Sequence, residues 1–267
     1  MHYGRHVFQD VYLNRVLAFI SDFGLTDPYV GQVEAVLATE PRARVINFMH
    51  DIPPQHVSLA AHVVDGALGL VPAGSVILAV VDPGVGTKRR GLIVLRNGRW
   101  LVGPDNGLLT PPAEEIQAWE INNSLVARTP VTSTFHARDI FAPVSIRLLA
   151  YERPEWFGRK IPDPIRIERF PARLGNSVAE GHIVHIDTYG NLISNIPSAF
   201  FAHEPHVQVV LESEQIDGIS TTYGHGTSLI AVIGSWNLLE VALPRGSAAD
   251  SLGITVGTPI TAHIGSP

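Results

Sequence analysis

The chain has 267 residues, 45% of them hydrophobic and 16% charged, with 19 basic against 25 acidic residues and a formal net charge of −6. That length suits one large or two modest globular domains with a real core, and an acidic balance without a long basic run argues against a nucleic-acid partner. The absence of cysteine rules out disulfides, thiolate metal sites and a cysteine nucleophile. No apolar run has the length of a membrane span. The opening stretch MHYGRHVFQDVYLNR lacks the apolar core of a secretory signal. The expectation is a cytoplasmic protein with no membrane partner.

In chain order, VLAFIS (16–21) has the length of a buried strand. Asp27 and Pro28 then predict a helix N-cap and first helical position, with Val30, Val33 and Leu37 following at helical spacing. RVINF (44–48) reads as a second strand. Ala60, Val63, Val64, Ala67 and Leu68 fall on one helix face, and SVILAVV (75–81) is a third strand. This alternation predicts an α/β domain with a mostly parallel sheet. GLIVLRNGRWLVG (91–103) predicts a hairpin turning at Asn97-Gly98. RDIFAPVSIRLLA (138–150) predicts a helix with Ile140, Val144 and Leu148 in line and Pro143 confined to its first turn.

Past residue 151 the chain turns proline- and charge-rich, and then strand-like segments follow: GHIVHID, HVQVVLE, SLIAVIG, LLEVAL and TPITAHI. Their spacing predicts a smaller all-β domain, a barrel or a sandwich. The expected organisation is an N-terminal extension (1–15), an α/β domain (16–155), a linker (156–177) and a β domain (178–267).

Ligands of open α/β sheets bind beyond the carboxyl ends of the strands. Asp22 and Asp82 both stand at such ends, although each alone is ordinary turn chemistry. The stretch VVDPGVGTKRR (80–90) takes a carboxylate to the mouth of a strand, turns sharply and returns an arginine seven residues later. It is not a phosphate loop, because no Gly-Lys-Ser/Thr closes the pattern and a strand-like segment follows. HARD (136–139) matches the kinase HRD only superficially. PDNG (104–107) and YGN (189–191) read as turns. Twelve histidines raise the question of a metal, yet there is no H-E-x-x-H, and His182 and His185 fall on opposite faces of one strand. No metal site is expected.

Taken in order, seven segments resemble one family: ISDFGLTDPYVGQVEAVL, HDIPPQHVSLAAHVV, VVDPGVGTKRR, LVGPDNGLLT, FHARDIFAP, HIDTYGNLISNI and GSWNLLEVALPRGSAADSLG. The set is similar to the adenosine-forming S-adenosylmethionine (SAM) hydrolases, or SAM hydroxide adenosyltransferases, which are relatives of the fluorinating and chlorinating enzymes. The match runs from about residue 16 to 262. Departures are Ala137, where the family has glycine, and the bulky pair Trp236-Asn237.

The resemblance implies a reaction and a site. Water or hydroxide attacks C5′ of SAM in line, giving adenosine and methionine, and an Asp–Arg–His set, here Asp82, Arg89 and His136, holds the attacking water. His136 either orients that water or accepts its proton. Asp22 corresponds to the carboxylate on the ribose hydroxyls, Asp187 to the one facing the methionine ammonium, Asn191 to an adenine contact and Ser235 to a methionine carboxylate contact. The resemblance also implies a homotrimer with the site between subunits, and no metal or organic cofactor. The alternatives are a SAM-dependent halogenase, which would depart at the Asp82–Arg89 loop and at His136, and a non-catalytic SAM- or adenosine-binding protein.

Overall fold

The computed structural model describes residues 16–150, 153–167, 172–202, 204, 206–224 and 226–265. The expected extension 1–15 lies outside them. The chain divides into two compact units, Met1–Arg169 and Phe170–Pro267.

The first unit runs β1 (Val16–Ser21), α1 (Tyr29–Leu37), β2 (Arg44–Met49), α2 (Val57–Leu70), β3 (Val76–Val80), β4 (Gly91–Arg96), β5 (Arg99–Pro104), β6 (Gln117–Ile121), α3 (Ala142–Leu149) and β7 (Lys160–Ile161). Its seven-stranded sheet has the order β2-β1-β3-β5-β4-β6-β7. The expectation of a mostly parallel sheet needs correction. Pairings β1–β2, β1–β3 and β3–β5 are parallel, but β4–β5, β4–β6 and β6–β7 are antiparallel. The reason is the hairpin at Asn97-Gly98, where φ is 49° and 71°. So tight a turn can only reverse the chain onto its neighbour.

Strands β1 and β3 are buried along their whole length, as continuous apolar strands covered on both faces should be. Leu17, Phe19, Val76 and Leu78 pack with Val30, Val33 and Leu37 of α1 and Val144 and Leu148 of α3. The α2 helix contacts β1 and β3 but contributes nothing to that cluster, so it covers the opposite face with Leu59, Ala60, Val63, Val64, Ala67 and Leu68. The chain leaves β1 for β2 on one side and then crosses to β3 on the other. The carboxyl ends of β1 and β3 therefore flank the topological switch point, where such sheets bind ligands.

Two local expectations change in detail. Asp27 does not cap α1. Pro28 occupies the N-cap position without a side-chain cap bond, and its carbonyl accepts the Gln32 N–H at 2.9 Å. The helix expected over 138–150 is a π-helical turn, Ala137–Phe141, leading into α3. Pro143 has no N–H to give the Asp139 carbonyl one turn back, and the Arg128 N–H takes that carbonyl instead at 2.8 Å.

The stretch read as a linker is structured over much of its length. β7 pairs with β6, Arg90 Nη1 donates to Asp163 at 3.0 Å, and the Ile165 N–H donates to the buried Asp105 carboxylate at 2.8 Å. Charged residues of this stretch have hydrogen-bond partners on the first unit: Arg159 on Glu120, Lys160 on Gln117 and Arg166 on the Glu114 carbonyl.

The second unit consists of β8 (Arg173–Leu174), β9 (Val178–Ile186), β10 (Leu192–Pro197), β11 (Val207–Leu211), β12 (Glu214–Asp217), β13 (Ile230–Ile233), β14 (Leu238–Ala242), α4 (Ala248–Leu252) and β15 (Pro259–Ile264). Its strands pair antiparallel in the order β12-β11-β15-β9-β10-β14-β13, with β8 beside β9. Ser220, just past β12, bridges to Val232 of β13, and its N–H donates to the Ala231 carbonyl at 2.7 Å. The two ends of the sheet thus nearly meet, giving a near-barrel around Ile183, Leu192, Val209, Leu239 and Ile260. Among the described residues, no helix is long and apolar enough to cross a membrane.

Candidate active site

Asp22 follows β1 and Asp82 follows β3, whose last residues Ser21 and Val80 are in register. Both carboxylates therefore emerge at the switch point. Asp82 is held from behind: the Asn106 side-chain amide donates to the Val81 carbonyl at 2.9 Å. PDNG is thus more than a turn, because Asp105 anchors Arg90 Nε at 2.7 Å and Asn106 fixes the strand end.

The turn 82–89 explains the return of the arginine. Gly86 has φ 76°, and a Cβ there would overlap the Ser133 carbonyl oxygen, so only glycine lets the turn pass under the 131–136 loop. Thr87 Oγ1 donates to the Gly84 carbonyl at 2.7 Å and accepts the Arg89 N–H at 3.3 Å, which aims the arginine back at Asp82.

Arg89 joins three groups. Its Nε donates to Asp82 Oδ1 at 2.9 Å, and Nη2 donates to Asp82 Oδ2 in a second, short bond. Nη2 also lies 2.9 Å from His136 Nδ1. Arginine has no acceptor, so Nδ1 must present its lone pair, and the imidazole proton resides on Nε2. The side chains of Asp82 and Arg89 are only 6% and 11% exposed, where a fork-on-carboxylate pair is geometrically firm. The guanidinium also stands 5.1 Å over the Phe141 ring. Burial, and then the Arg89 charge, lowers the His136 pKa below its usual 6.5, in keeping with a neutral ring.

His136 is placed by the network behind it. Asp139, almost fully buried, accepts from the Thr132 N–H at 2.9 Å, Thr132 Oγ1 at 2.6 Å and Arg138 Nε at 2.7 Å. Burial alone would raise its pKa, but these bonds from Arg138 and Thr132 bring it down to about 2. Arg138 also reaches Gln32 of α1 at 2.7 Å. Phe23, Tyr29 and Phe135 meet edge to face, with centroids 5.6–6.1 Å apart, and so join the turn of Asp22 to the turn of His136.

Asp22 receives the Gln55 N–H at 2.9 Å on Oδ2. Burial, and more weakly the Asp82 charge, raises its pKa.

In the second unit Asp187 organises its own loop, accepting from the N–H groups of Tyr189 and Asn191 and from the Asn191 amide, each at 2.9 Å. Asp187, Tyr189, Asn191, Tyr223 and residues 242–246 line a cavity of about 550 Å³. Ser235 is exposed in the turn between β13 and β14 and does not line it. The Tyr223 hydroxyl donates to buried Glu240 at 2.7 Å. Burial raises the pKa of both, and the nearby Asp187 charge adds to the effect. The sequence reading missed Tyr223 and Glu240, since neither stands in a turn that marks a site. Trp236 stacks on His185, with centroids 5.4 Å apart.

The residues singled out from sequence thus fall in two sets. Asp22, Asp82, Arg89 and His136 gather at the mouth of the first sheet. Asp187 and Asn191 line the second unit's cavity. Among the described residues, no group of three or more His, Cys, Asp or Glu side chains is arranged to hold a metal ion.

The fold brings Asp22, Asp82, Arg89 and His136 to the switch point of a half-parallel sheet, the place where sheets of this class bind small molecules. Residues 17–158 match the SAM hydroxide adenosyltransferase N-terminal domain, and residues 181–261 match the corresponding C-terminal domain. The chain belongs to the SAM hydroxide adenosyltransferase family. It is 38% identical, over 92% of its length and 98% of the relative's, to a Thermus thermophilus protein named (R)-S-adenosyl-L-methionine hydrolase. A Salinispora tropica protein of the same name is 35% identical, over 90% and 95% of the two chains. An Actinoplanes fluorinase is 30% identical over 68% of this chain and 72% of its own. A solved structure of a conserved protein from Thermotoga maritima superposes with a TM-score of 0.84 at 28% identity, covering 92% and 99% of the two chains.

Proposed function

We propose that the protein hydrolyses S-adenosyl-L-methionine to adenosine and L-methionine, with Asp82, Arg89 and His136 as its catalytic residues. The observation that carries this reading is the single guanidinium bridging Asp82 and His136 at the switch point. The sulfonium makes methionine a neutral leaving group, so no general acid is required. The task left to the protein is to place one water in line with the C5′–S bond, and such positioning contributes roughly 7–11 kcal/mol in favourable cases.

The geometry favours one of the two roles open to His136. Its Nδ1 lone pair is engaged by Arg89, so it offers the water a donor, Nε2–H, rather than a base. Each Asp82 oxygen keeps a second lone pair after accepting from Arg89. Asp82 is then the group that draws on a water hydrogen as the C5′–O bond forms, and one proton leaves to solvent for each SAM consumed.

Asp22 serves as the ribose carboxylate, Asp187 faces the methionine ammonium, Asn191 contacts adenine and Ser235 contacts the methionine carboxylate. No metal or organic cofactor takes part. The assembly is a homotrimer in which the first unit of one subunit and the second unit of the next form each site. Support for the shared site is that the candidate residues fall in both units.

The relatives' names carry an (R) descriptor. Since L already fixes the α-carbon, (R) refers to the sulfonium sulfur, and we extend that epimer to this protein as its substrate. The test is incubation with each sulfonium epimer in chloride buffer, with products resolved by mass. Adenosine and methionine, formed faster from the (R) epimer, are expected. 5′-Chloro-5′-deoxyadenosine would make the protein a halogenase, and bound but unreacted SAM would make it a binding protein. The Asp82→Ala and Arg89→Ala variants should still bind SAM by calorimetry while losing turnover. Asp22→Ala should chiefly raise KM, by about 10–100-fold, because ribose contacts are made in ground and transition state alike.

A further inference from the structure

Behind Asp22 lies a polar relay, buried at Ser21 and His50 and reaching the surface at Asn47, that the reaction itself does not use. Ser21 is fully buried and His50 is 4% exposed. Ser21 Oγ lies 2.7 Å from His50 Nδ1, and His50 Nε2 lies 3.1 Å from Asn47 Oδ1. The Asn47 amide nitrogen donates to Glu34 Oε1 at 2.6 Å, which turns its oxygen toward the imidazole. Proton directions follow from this chain. The Glu34 carboxylate accepts, so Asn47 donates there and accepts from His50 Nε2–H. His50 Nδ1 then carries the lone pair, and the Ser21 hydroxyl donates to it. That leaves Ser21 Oγ an acceptor for the Phe23 N–H at 3.4 Å.

His50 also grips the same turn by its backbone, since its carbonyl accepts the Gly24 N–H at 2.8 Å. Its ring packs edge-on to Phe19 of β1, with centroids 4.6 Å apart. Residues on both sides of Asp22 are therefore tied to one residue at the end of β2. The Gln55 N–H, from the loop that follows, meets the carboxylate itself.

We propose that His50 is a positioning residue for substrate binding: through Ser21 and Gly24 it fixes the turn that aims the Asp22 carboxylate. The relay runs from α1 through the edge strand to the switch point and touches no reacting atom. The inference rests on the reading of Asp22 as the ribose ligand.

The test compares wild type with His50→Ala, His50→Asn and Ser21→Ala for SAM affinity by calorimetry, for KM and kcat, and for Tm. Asn retains an acceptor near the place of Nδ1. Ser21→Ala removes only an oxygen and serves if His50→Ala does not fold. The expected result is a Kd and KM raised about tenfold in His50→Ala and Ser21→Ala, kcat changed much less, and most of the affinity recovered in His50→Asn. The double variant should be no worse than the poorer single one, because both break the same link. A lowered Tm with wild-type Kd and KM in His50→Ala or Ser21→Ala would overturn the proposal and leave His50 a core residue. Asp22→Ala, run alongside, separates the two readings: if it leaves SAM affinity unchanged, the assignment of Asp22 fails, and the proposal for His50 fails with it.

Discussion

At the scale of single residues, the site depends on which atoms carry protons. His136 must be neutral to accept from Arg89, because a protonated Nδ1 would set N–H against N–H. Turnover should therefore fall as pH drops below 6.5, with a midpoint below that value, since burial and then Arg89 depress the His136 pKa. A kcat/KM profile checks this, and a midpoint above 6.5 would contradict it. Stability follows the same sign. His136 and, through burial, His50 both have folded pKa values below 6.5. Between 6.5 and those lower values the unfolded chain binds more protons, so both groups cost stability as pH falls through that window, and neither affects it above. Tm should be flat with respect to them above pH 7 and should decline toward pH 5, and the decline should shrink in His50→Asn. Arg89→Lys should fold but lose at least about 100-fold in kcat, because an ammonium cannot hold Asp82 at two points and reach His136 as well. These residues were legible in the sequence as types in ordered motifs. The proton assignment was not, since it needs the distance from Nη2 to Nδ1 across 47 residues of chain.

At the scale of elements, the turn over 82–89 is a close approach between two loops. Gly86→Ala would place a methyl against the Ser133 carbonyl in a left-handed conformation. The expected cost is about 1–3 kcal/mol of stability, and a larger relative loss of kcat, because Arg89 moves with the turn. Denaturant unfolding and steady-state kinetics together check this, and a loss confined to stability would mean that the turn recovers its aim. Sequence periodicity found β1, α1, α2 and β3 because each buries an unbroken apolar stripe or run. It missed β10, where Asn195 interrupts the apolar run, β12, a short strand in which only Ile216 is buried, and the π-turn before α3. That turn arises because Pro143 has no N–H for the Asp139 carbonyl and the Arg128 N–H, from outside the helix, takes it instead.

At the scale of the whole molecule, the proposed trimer makes a quantitative claim. Arg89→Lys disables the first-unit half of a site, and Asp187→Ala disables the second-unit half. Mixed one to one and allowed to exchange subunits, two inactive proteins should recover about a quarter of wild-type activity if each site joins two neighbouring subunits. Sites confined to one subunit would recover none. The sequence by itself determined the family and the apolar strands, and it singled out Asp22, Asp82, Arg89 and His136 as candidates, because these are carried by local patterns and by motif order. Only the tertiary structure decided that half of the first sheet is antiparallel, that PDNG braces the end of β3, and that residues 160–167 are strapped to the first unit. It alone also decided that His136 presents a lone pair to Arg89 and that His50 stands behind Asp22. Strand order, tautomer and buried polar partners are set by groups far apart in the chain, and no local pattern encodes which of them meet.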